Sequence, residues 1–215
     1  MKKNKKSDQA DLRGKARGAI KKFLFLRSGE FKNTKLNAPD PIYTRPSKAI
    51  LRDSVFDYLQ DEVQETVFCE AFGGSGQVGL LALSRGAKKA IFIEKEARVF
   101  KTLEQNIAIL SGKFNLDGRI RAFCEDTISY LPKLLDGMEC NGAELILFLD
   151  PPFPKDDDDK IYEKCIKMLQ NCDLKCCKYI IFEAKTSAEF PLKIQKFSII
   201  RKRAFGKSSL IFYKG

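Results

Sequence analysis

Residues 70–86 read EAFGGSGQVGLLALSRG, and this stretch decides the fold. Its glycines Gly74, Gly76 and Gly79 form the pattern G-x-G-x-x-G, preceded by an apolar β-rich run at 66–72 and followed by helical periodicity. Glycines at these positions let the chain turn tightly and let a ligand approach the start of the helix. The pattern is weak alone, but between a strand and a helix it predicts a loop that binds an adenosine-containing cofactor.

Short β-rich runs alternate with helical runs after this loop. We predict strands at 66–72, 89–94, 120–124, 143–150 and 178–184, and helices at 78–85, 97–110, 128–135 and 161–169. Strands that are apolar on both faces and separated by helices form a parallel sheet covered on both sides. The last two β-rich runs, at 197–204 and 208–213, are too close in sequence to form anything but an antiparallel pair. The fold class is therefore a doubly wound α/β domain.

The segment before this domain contains three prolines, at 39, 41 and 46. Pro46 is suited to open a helix, for which we predict an apolar face of Ile50, Leu51, Val55, Phe56 and Leu59. The sequence thus divides into a basic arm at 1–22, a hairpin-like extension at 23–45 and the main domain at 46–215.

Two acids bear on which cofactor the glycine loop binds. Glu94 ends the next predicted strand, 20 residues after Gly74, where a carboxylate can hold ribose hydroxyls. Glu70 lies directly before the loop, where it would repel the pyrophosphate of NAD but could accept a hydrogen bond from the amino group of a methionine moiety. The sequence therefore favours S-adenosylmethionine. Asp126 has two interpretations, an acceptor for the adenine amino group beside Thr127 or an N-terminal cap of the helix at 128–135.

A second motif, Asp150-Pro151-Pro152-Phe153, follows the apolar run at 145–149. An exocyclic base amine is a poor nucleophile because its lone pair is delocalised into the ring, and Asp150 and the Pro151 carbonyl can accept its hydrogens. The prolines hold these acceptors rigid, and Phe153 can stack on an extruded base. The alternative is a simple strand-ending turn with a packed Phe. Together with the glycine loop, the motif favours catalysis on a nucleic-acid base.

The charge distribution also indicates a nucleic acid. The first 35 residues contain twelve Lys/Arg and three acids, which accounts for nine of the eleven net positive charges, and a second stretch at 193–207 has six cations and no acid. Lys and Arg residues near phosphates release condensed counterions, which favours binding to a nucleic acid. The alternative interpretation of the N-terminal cations is a solubilising tail. Because the sequence has no membrane span and no signal sequence, we expect a cytoplasmic protein. Because it has no His and no C-x-x-C pair, we expect no metal site. Nothing in the sequence demands more than a monomer.

The chain resembles the RsmD-type methyltransferases, which modify the N2 amine of a guanine in 16S ribosomal RNA. The resemblance spans roughly residue 28 to the C-terminus and is most specific in residues 71–87 together with D-P-P-F. It also includes Gly29-Glu30-Phe31-Lys32, Leu36, Thr44-Arg45-Pro46, Ile93-Glu94-Lys95, Asn106, Glu125-Asp126 and Gly206-Lys207-Ser208. Such proteins usually have Asp at the position of Glu70 and a shorter N-terminus.

The resemblance implies a class I, Rossmann-like fold with a seven-stranded sheet whose last strand is antiparallel, and S-adenosylmethionine as methyl donor. It implies 16S ribosomal RNA or an assembling small subunit as partner, and D-P-P-F as the catalytic loop that holds the guanine. The expected cofactor-binding residues are Glu70, Phe72, Gly74, Ser75, Gly76, Glu94, Lys95, Asp126 and Thr127, and the expected RNA-binding residues are Lys21, Lys22, Arg27, Lys32 and Arg45.

Three other functions compete with this interpretation. A DNA methyltransferase acting on adenine N6 or cytosine N4 can also use D-P-P-F, but the chain has no large inserted recognition domain. A non-catalytic RNA-binding assembly factor would be expected to have a degraded cofactor loop, and this loop is intact. A nicotinamide-dependent dehydrogenase is disfavoured by Glu70 and by D-P-P-F.

Overall fold

The computed structural model describes residues 23–38, 46–139, 141–154 and 160–215. The strands are β1 (Phe23–Phe25), β2 (Lys35–Asn37), β3 (Val67–Glu70), β4 (Lys89–Ile93), β5 (Ile120–Phe123), β6 (Leu145–Leu149), β7 (Cys177–Lys185), β8 (Lys193–Ile194), β9 (Phe197–Phe205) and β10 (Ser208–Lys214). The helices are α1 (Pro46–Leu59), α2 (Gln77–Ser84), α3 (Ala97–Ser111), α4 (Thr127–Asp136) and α5 (Ile161–Gln170), with one turn of 3-10 helix at Gln60–Val63. None of the helices in the described part is both long and apolar enough to cross a bilayer.

The main sheet has the strand order β5-β4-β3-β6-β7-β10-β9-β8. Strands β3 to β7 pair in parallel, and β10 runs antiparallel to both of its neighbours, β7 and β9. The predicted doubly wound α/β fold with an antiparallel last strand is therefore confirmed. Because connections between parallel strands are right-handed helical crossovers, helices cover both faces of the sheet.

The sheet has one strand more than the seven expected. The additional strand, β8, pairs with the start of β9 over two residues. Its turn contains Gln195 at φ +51°, a conformation that a Gln residue does not signal in sequence. The Gln195 side-chain amide donates to the carbonyls of Leu169 (2.6 Å) and Cys172 (2.9 Å), so contacts with the end of α5 hold the turn.

The core has two parts, one on each face of the sheet. Helices α1, α2 and α3 bury apolar side chains against one face, and α4 and α5 bury theirs against the other. Strand β10 contributes to both parts, because Leu210 and Phe212 face the first and Ile211 and Tyr213 the second. In α1 the predicted apolar face is buried except for Ile50, which is 61% exposed.

The segment around β1 and β2 packs on the face covered by α1, α2 and α3. β1 and β2 pair antiparallel, and the turn residues between them contact Ser84 at the end of α2. Ser84 Oγ donates to the Ser28 carbonyl (2.6 Å) and accepts from the Phe31 amide (2.9 Å), while the Ser84 carbonyl accepts from the Glu30 amide (2.7 Å). The bond from the Glu30 amide gives a partner to the Ser84 carbonyl, which has none inside the helix. The Phe31 ring is fully buried 4.5 Å from that of Phe114.

Gly29 allows this contact, and replacing it with Ala tests it. A Cβ at Gly29 would lie 1.7 Å from the Ser84 carbonyl oxygen, and the residue has φ +79°. We expect Gly29→Ala to lower the free energy of unfolding by about 3–5 kcal/mol, measured by urea denaturation. The control is Gly118→Ala, at φ +69° with no atom within 4 Å of the new Cβ. Gly118→Ala should lower the free energy of unfolding by only about 1–2 kcal/mol, the cost of a left-handed conformation for a residue with a Cβ. Equal losses in the two variants would contradict the close contact between Gly29 and Ser84.

Candidate active site

The carboxyl ends of the central parallel strands form one edge of the sheet. Glu70 ends β3, Glu94 directly follows β4, Asp126 follows β5 and Asp150 directly follows β6. These four strands are neighbours in the sheet, so their carboxyl groups belong to one acidic edge. The chain order reverses between β3 and β6, and ligands of doubly wound sheets bind at such a switch point.

The glycine loop between β3 and α2 is held by hydrogen bonds to its backbone. The Gly73 amide donates to the Ile93 carbonyl (2.7 Å), and the Gly74 amide donates to Glu94 Oε2 (2.9 Å). Glu94 Oε1 accepts from the Glu96 amide (2.8 Å), so this carboxylate joins the loop to the start of α3. Glu94 therefore positions the loop, and its contact with ribose hydroxyls stays a prediction.

Gly74 and Gly76 of the loop must both be glycine, for different reasons. Gly74 has φ +53°, and a Cβ there would meet no atom within 4 Å, so its backbone faces open space from which a ligand can approach. Gly76 has φ +79°, and a Cβ there would lie 2.3 Å from Leu103 Cδ1. The close approach at Gly76 places the start of α2 directly against α3.

Asn106 of α3 binds the other side of the loop. It is fully buried, and its Nδ2 donates to the carbonyls of Ser75 (2.9 Å) and Asn37 (3.0 Å). Its Oδ1 accepts from the Asn37 amide (2.7 Å). One side chain thus joins the glycine loop to β2. In the sequence, Asn106 was noted only as part of the family resemblance, with no role assigned. A lone Asn between the buried positions Leu103 and Leu110 of an amphipathic helix is a signal for a buried hydrogen-bonding role.

Glu70 is buried beneath the loop and caps α2. Its side chain is 5% exposed, and Oε2 accepts from the Gly79 amide (2.8 Å) in the first turn of the helix. Burial raises the pKa of this carboxyl to about 8, and the carboxylate of Asp150 acts in the same direction. The amides of Gly79 and Val78 and the cation of Arg52 favour the ionised form without offsetting burial. Arg52, on α1, was not predicted from the sequence.

The remaining predicted cofactor residues lie around the ends of β3, β4 and β5. Asp126 caps α4, because its Oδ1 accepts from the amides of Ile128 (3.0 Å) and Ser129 (3.3 Å), while Oδ2 lies 3.9 Å from Lys95 Nζ. Thr127 is buried and donates to the Ala71 carbonyl, which joins α4 to the end of β3. Half-buried Phe72 packs against the core under α4 and α5. The capping interpretation of Asp126 is thus realised, and adenine recognition remains a prediction.

The D-P-P-F loop leaves β6 at the same edge. Asp150 and Phe153 are half-buried, Pro151 is buried and Pro152 is exposed. Lys185, at the end of β7, donates from Nζ to the carbonyl of Pro154, the residue after the motif. Its amide also donates to the hydroxyl of Tyr162 (2.9 Å) on α5. Lys185 and Tyr162 therefore flank the loop, although no pattern in the sequence assigned them to the site.

Two of the predicted RNA-binding residues lie in the described part of the chain. Arg27 is exposed and its Nη1 lies 3.3 Å from Asp53 Oδ2 of α1, and Lys32 is exposed beside the turn that binds Ser84. Lys21, Lys22 and Arg45 lie outside the described residues. Neither Arg27 nor Lys32 is on the strand ends that carry the acidic edge.

Comparisons with known proteins extend over nearly the whole chain. The profile of a family described as "Conserved hypothetical protein 95" matches residues 26–214. The Escherichia coli K12 protein named ribosomal RNA small subunit methyltransferase D is 27% identical over 187 residues, covering 86% of this chain and 87% of its own. A Buchnera aphidicola protein of the same name is 28% identical over 148 residues, 69% of this chain and 70% of its own.

Solved structures show the same fold. An Escherichia coli protein, yhhF, described as a methyltransferase, superimposes with a TM-score of 0.70 at 25% identity, covering 90% of this chain and 98% of its own. A Haemophilus influenzae protein, HI0767, described as a methylase, superimposes with a TM-score of 0.68 at 20% identity, covering 90% and 98%.

The raised pKa of Glu70 predicts how stability depends on pH. With a folded pKa of about 8 against an ordinary value of 4.5, the unfolded chain releases this proton at lower pH than the folded chain does. Glu70 therefore lowers the free energy of unfolding by an amount that depends on pH. The loss is smallest below its ordinary pKa and grows as pH rises toward 8. Glu70→Gln removes this cost while keeping an oxygen for the Gly79 amide. From about pH 6 to about pH 7.5, the stability of the variant relative to the parent should rise by up to about 2 kcal/mol.

The measurement is urea unfolding of both proteins at several pH values, without cofactor. Parallel pH dependences in the two proteins would contradict the prediction, because they would mean that Glu70 has the same charge in the folded and unfolded states.

Proposed function

The chain belongs to the RsmD family of methyltransferases, and we propose that it transfers a methyl group from S-adenosylmethionine to the exocyclic N2 amine of a guanine in 16S ribosomal RNA. The observation that carries the proposal is the placement of D-P-P-F after β6, next to the glycine loop after β3. Relatives named as small subunit ribosomal RNA methyltransferases support ribosomal RNA as the substrate.

The chemistry of the edge suits S-adenosylmethionine. Glu70, Glu94, Asp126 and Asp150 surround a loop whose backbone at Gly74 faces open space. Carboxylates at Glu94, Asp126 and Asp150 repel a dinucleotide pyrophosphate and attract a cofactor that carries a sulfonium and an ammonium, and Glu70, whose pKa is raised to about 8, adds to this charge when it ionises. When bound, S-adenosylmethionine supplies an electrophilic methyl group. Glu94 and Asp126 would hold its ribose and adenine, and Glu70 would take the amino group, whose positive charge stabilises the ionised carboxylate.

The D-P-P-F residues activate and orient the base. Asp150 and the Pro151 carbonyl accept the hydrogens of the exocyclic amine, which draws the nitrogen lone pair out of conjugation with the ring. Phe153 stacks on the flipped base, and the two prolines with the bond from Lys185 to Pro154 keep the acceptors in place. Transfer is direct and in line, with no covalent enzyme intermediate. The proton leaves to Asp150 or to water.

The first experiment identifies the product. Small ribosomal subunits that lack the modification are incubated with the full chain and methyl-labelled S-adenosylmethionine, and the labelled nucleoside is identified by mass spectrometry. We expect N2-methylguanosine. Label in adenine or cytosine of duplex DNA, with none in ribosomal RNA, would favour the DNA methyltransferase alternative. Cofactor binding without transfer to either substrate would favour a non-catalytic factor.

Replacing Asp150 tests whether this residue acts in catalysis rather than in cofactor binding. Asp150→Ala should lower the rate of methyl transfer at saturating substrates by at least about 100-fold, because an acceptor of the amine is lost. The affinity for S-adenosylmethionine, measured by calorimetry, should change little. Asp117→Ala, which removes an exposed acid in the turn before β5, is the control and should retain full activity. A parallel loss of transfer and cofactor affinity in Asp150→Ala would mean that the residue is structural.

A further inference from the structure

Three cations form a row along β9 and its turn into β10. Arg201 and Arg203 are exposed on β9, and Lys207 is exposed in the turn that follows. We name these three residues the β9 cation row. They belong to the basic stretch at 193–207 that contains no acid, and none of them was among the RNA-binding residues expected from the sequence.

The sheet register places both arginines of the row on one face, and β9 runs toward the catalytic edge. Leu210 of β10 pairs with Arg203 on one side and with Glu183 of β7 on the other, and Phe212 pairs with Arg201. Directly paired residues share a face, so both arginines lie on the face of the sheet that α1 covers. Because β10 is antiparallel to both β7 and β9, β9 runs in the same direction as β7. Arg203 therefore lies nearer than Arg201 to the edge that carries D-P-P-F.

The end of the row is connected to the D-P-P-F loop by hydrogen bonds. The Thr186 amide donates to the Lys207 carbonyl (3.0 Å), and Thr186 Oγ1 donates to the Gly206 carbonyl (2.8 Å). The preceding residue, Lys185, donates from Nζ to the Pro154 carbonyl. The β9–β10 turn and the catalytic loop therefore contact two consecutive residues at the end of β7.

Both guanidinium groups are held in position by uncharged partners. Arg201 lies 5.0 Å from the ring centroid of Tyr58 on α1, and Arg203 lies 5.0 Å from that of Phe205. Arg203 Nη1 also donates to Ser54 Oγ (3.2 Å). Within the described residues neither arginine forms an ion pair with a carboxylate. A guanidinium has five N–H donors, and among the described residues one donor of Arg203 and none of Arg201 has a hydrogen-bond partner.

We propose that the β9 cation row binds consecutive phosphates of the RNA strand that flanks the target guanine. The proposal rests on the proposed function and names a substrate contact for the same site. Arg201 and Arg203 are two residues apart on one strand, about 7 Å along it, a spacing that suits neighbouring phosphates of a single strand. Arginines that already contact aromatic rings lose less freedom on binding a phosphate than unpartnered ones would, and their planar donor pairs match its oxygens. The row thus guides the strand along β9 toward Asp150 and Phe153.

The test compares two triple variants of the full chain with equal charge loss. One is Arg201→Gln/Arg203→Gln/Lys207→Gln. The control is Lys88→Gln/Lys89→Gln/Lys113→Gln, which removes three exposed cations near the opposite edge, where β4 begins and α3 ends. The probe is unmodified 16S ribosomal RNA or the small subunit. Its dissociation constant is measured over a range of salt concentrations, together with KM and kcat for methyl transfer and the affinity for S-adenosylmethionine.

We expect the β9 variant to bind RNA about 10- to 100-fold more weakly, with the slope of log K against log salt reduced by about two, as for three lost single-strand phosphate contacts. KM for RNA should rise, while kcat at saturating RNA and cofactor affinity stay near those of the parent. The control should keep the parental slope. The same slope change in both variants, or none in the β9 variant, would overturn the proposal.

The design separates this proposal from the proposed function. If the parent chain transfers no methyl group to ribosomal RNA, the proposed function fails, whereas RNA affinity and its salt slope can still be measured. If the parent is active and the β9 variant has unchanged slope and KM, only the phosphate contact fails. A kcat that falls with unchanged RNA affinity would also overturn it, because the row would then act on the catalytic loop rather than on the strand.

Discussion

The hydrogen bonds that hold the glycine loop from two sides are the constraint on which the site depends. Glu94 binds the amide of Gly74, and Asn106 binds the carbonyl of Ser75, the next residue. A loop with positive φ at Gly74 and Gly76 loses more conformational entropy on folding than ordinary residues do. The hydrogen bonds with Glu94 and Asn106 offset this loss of entropy, because a buried polar group left without its partner would cost about 1–3 kcal/mol. Contacts within the fold itself therefore hold the loop that we propose as the cofactor site.

Glu70, in the same region, lowers the stability that these hydrogen bonds provide. A carboxyl group buried beneath the loop is protonated near neutral pH, as its pKa of about 8 indicates, and it is retained at the expense of stability. A binding partner with a positive charge would reverse this balance, because it lowers the pKa of the acid it contacts. Cofactor binding at this position would thus release a proton and remove part of the cost. Sites that bind charge commonly have such groups, whose ionisation is unfavourable in the free protein.

The alternation of apolar strands and amphipathic helices was sufficient to predict the fold, because periodicity is local in sequence. The strand β8 was not predicted, since Gln195 adopts its turn conformation only through bonds to the end of α5. The glycine loop and D-P-P-F could be found because each motif is a run of adjacent residues. Tyr162 and Lys185 are 23 residues apart, and Asn106 lies 69 residues from Asn37, so contacts of this kind have no local pattern. The cap formed by Asp126 could be predicted because its bonds to the amides of Ile128 and Ser129 are local in sequence, whereas the bond from the Gly74 amide to Glu94 spans 20 residues and depends on the tertiary structure.

The contacts of the N-terminal extension also bear on how the chain folds during synthesis. Ser28, Phe31 and Asn37 bond to residues between 53 and 69 positions later in the sequence. The extension therefore leaves the ribosome before the helices that cover it exist, and Phe31 and Leu36, both fully buried in the finished fold, remain in water until α3 has emerged. Such long-range contacts are slow to form because loop closure must precede them. The first 35 residues carry nine net positive charges, and like charges of this density disfavour collapse and association of a segment whose apolar residues are still exposed.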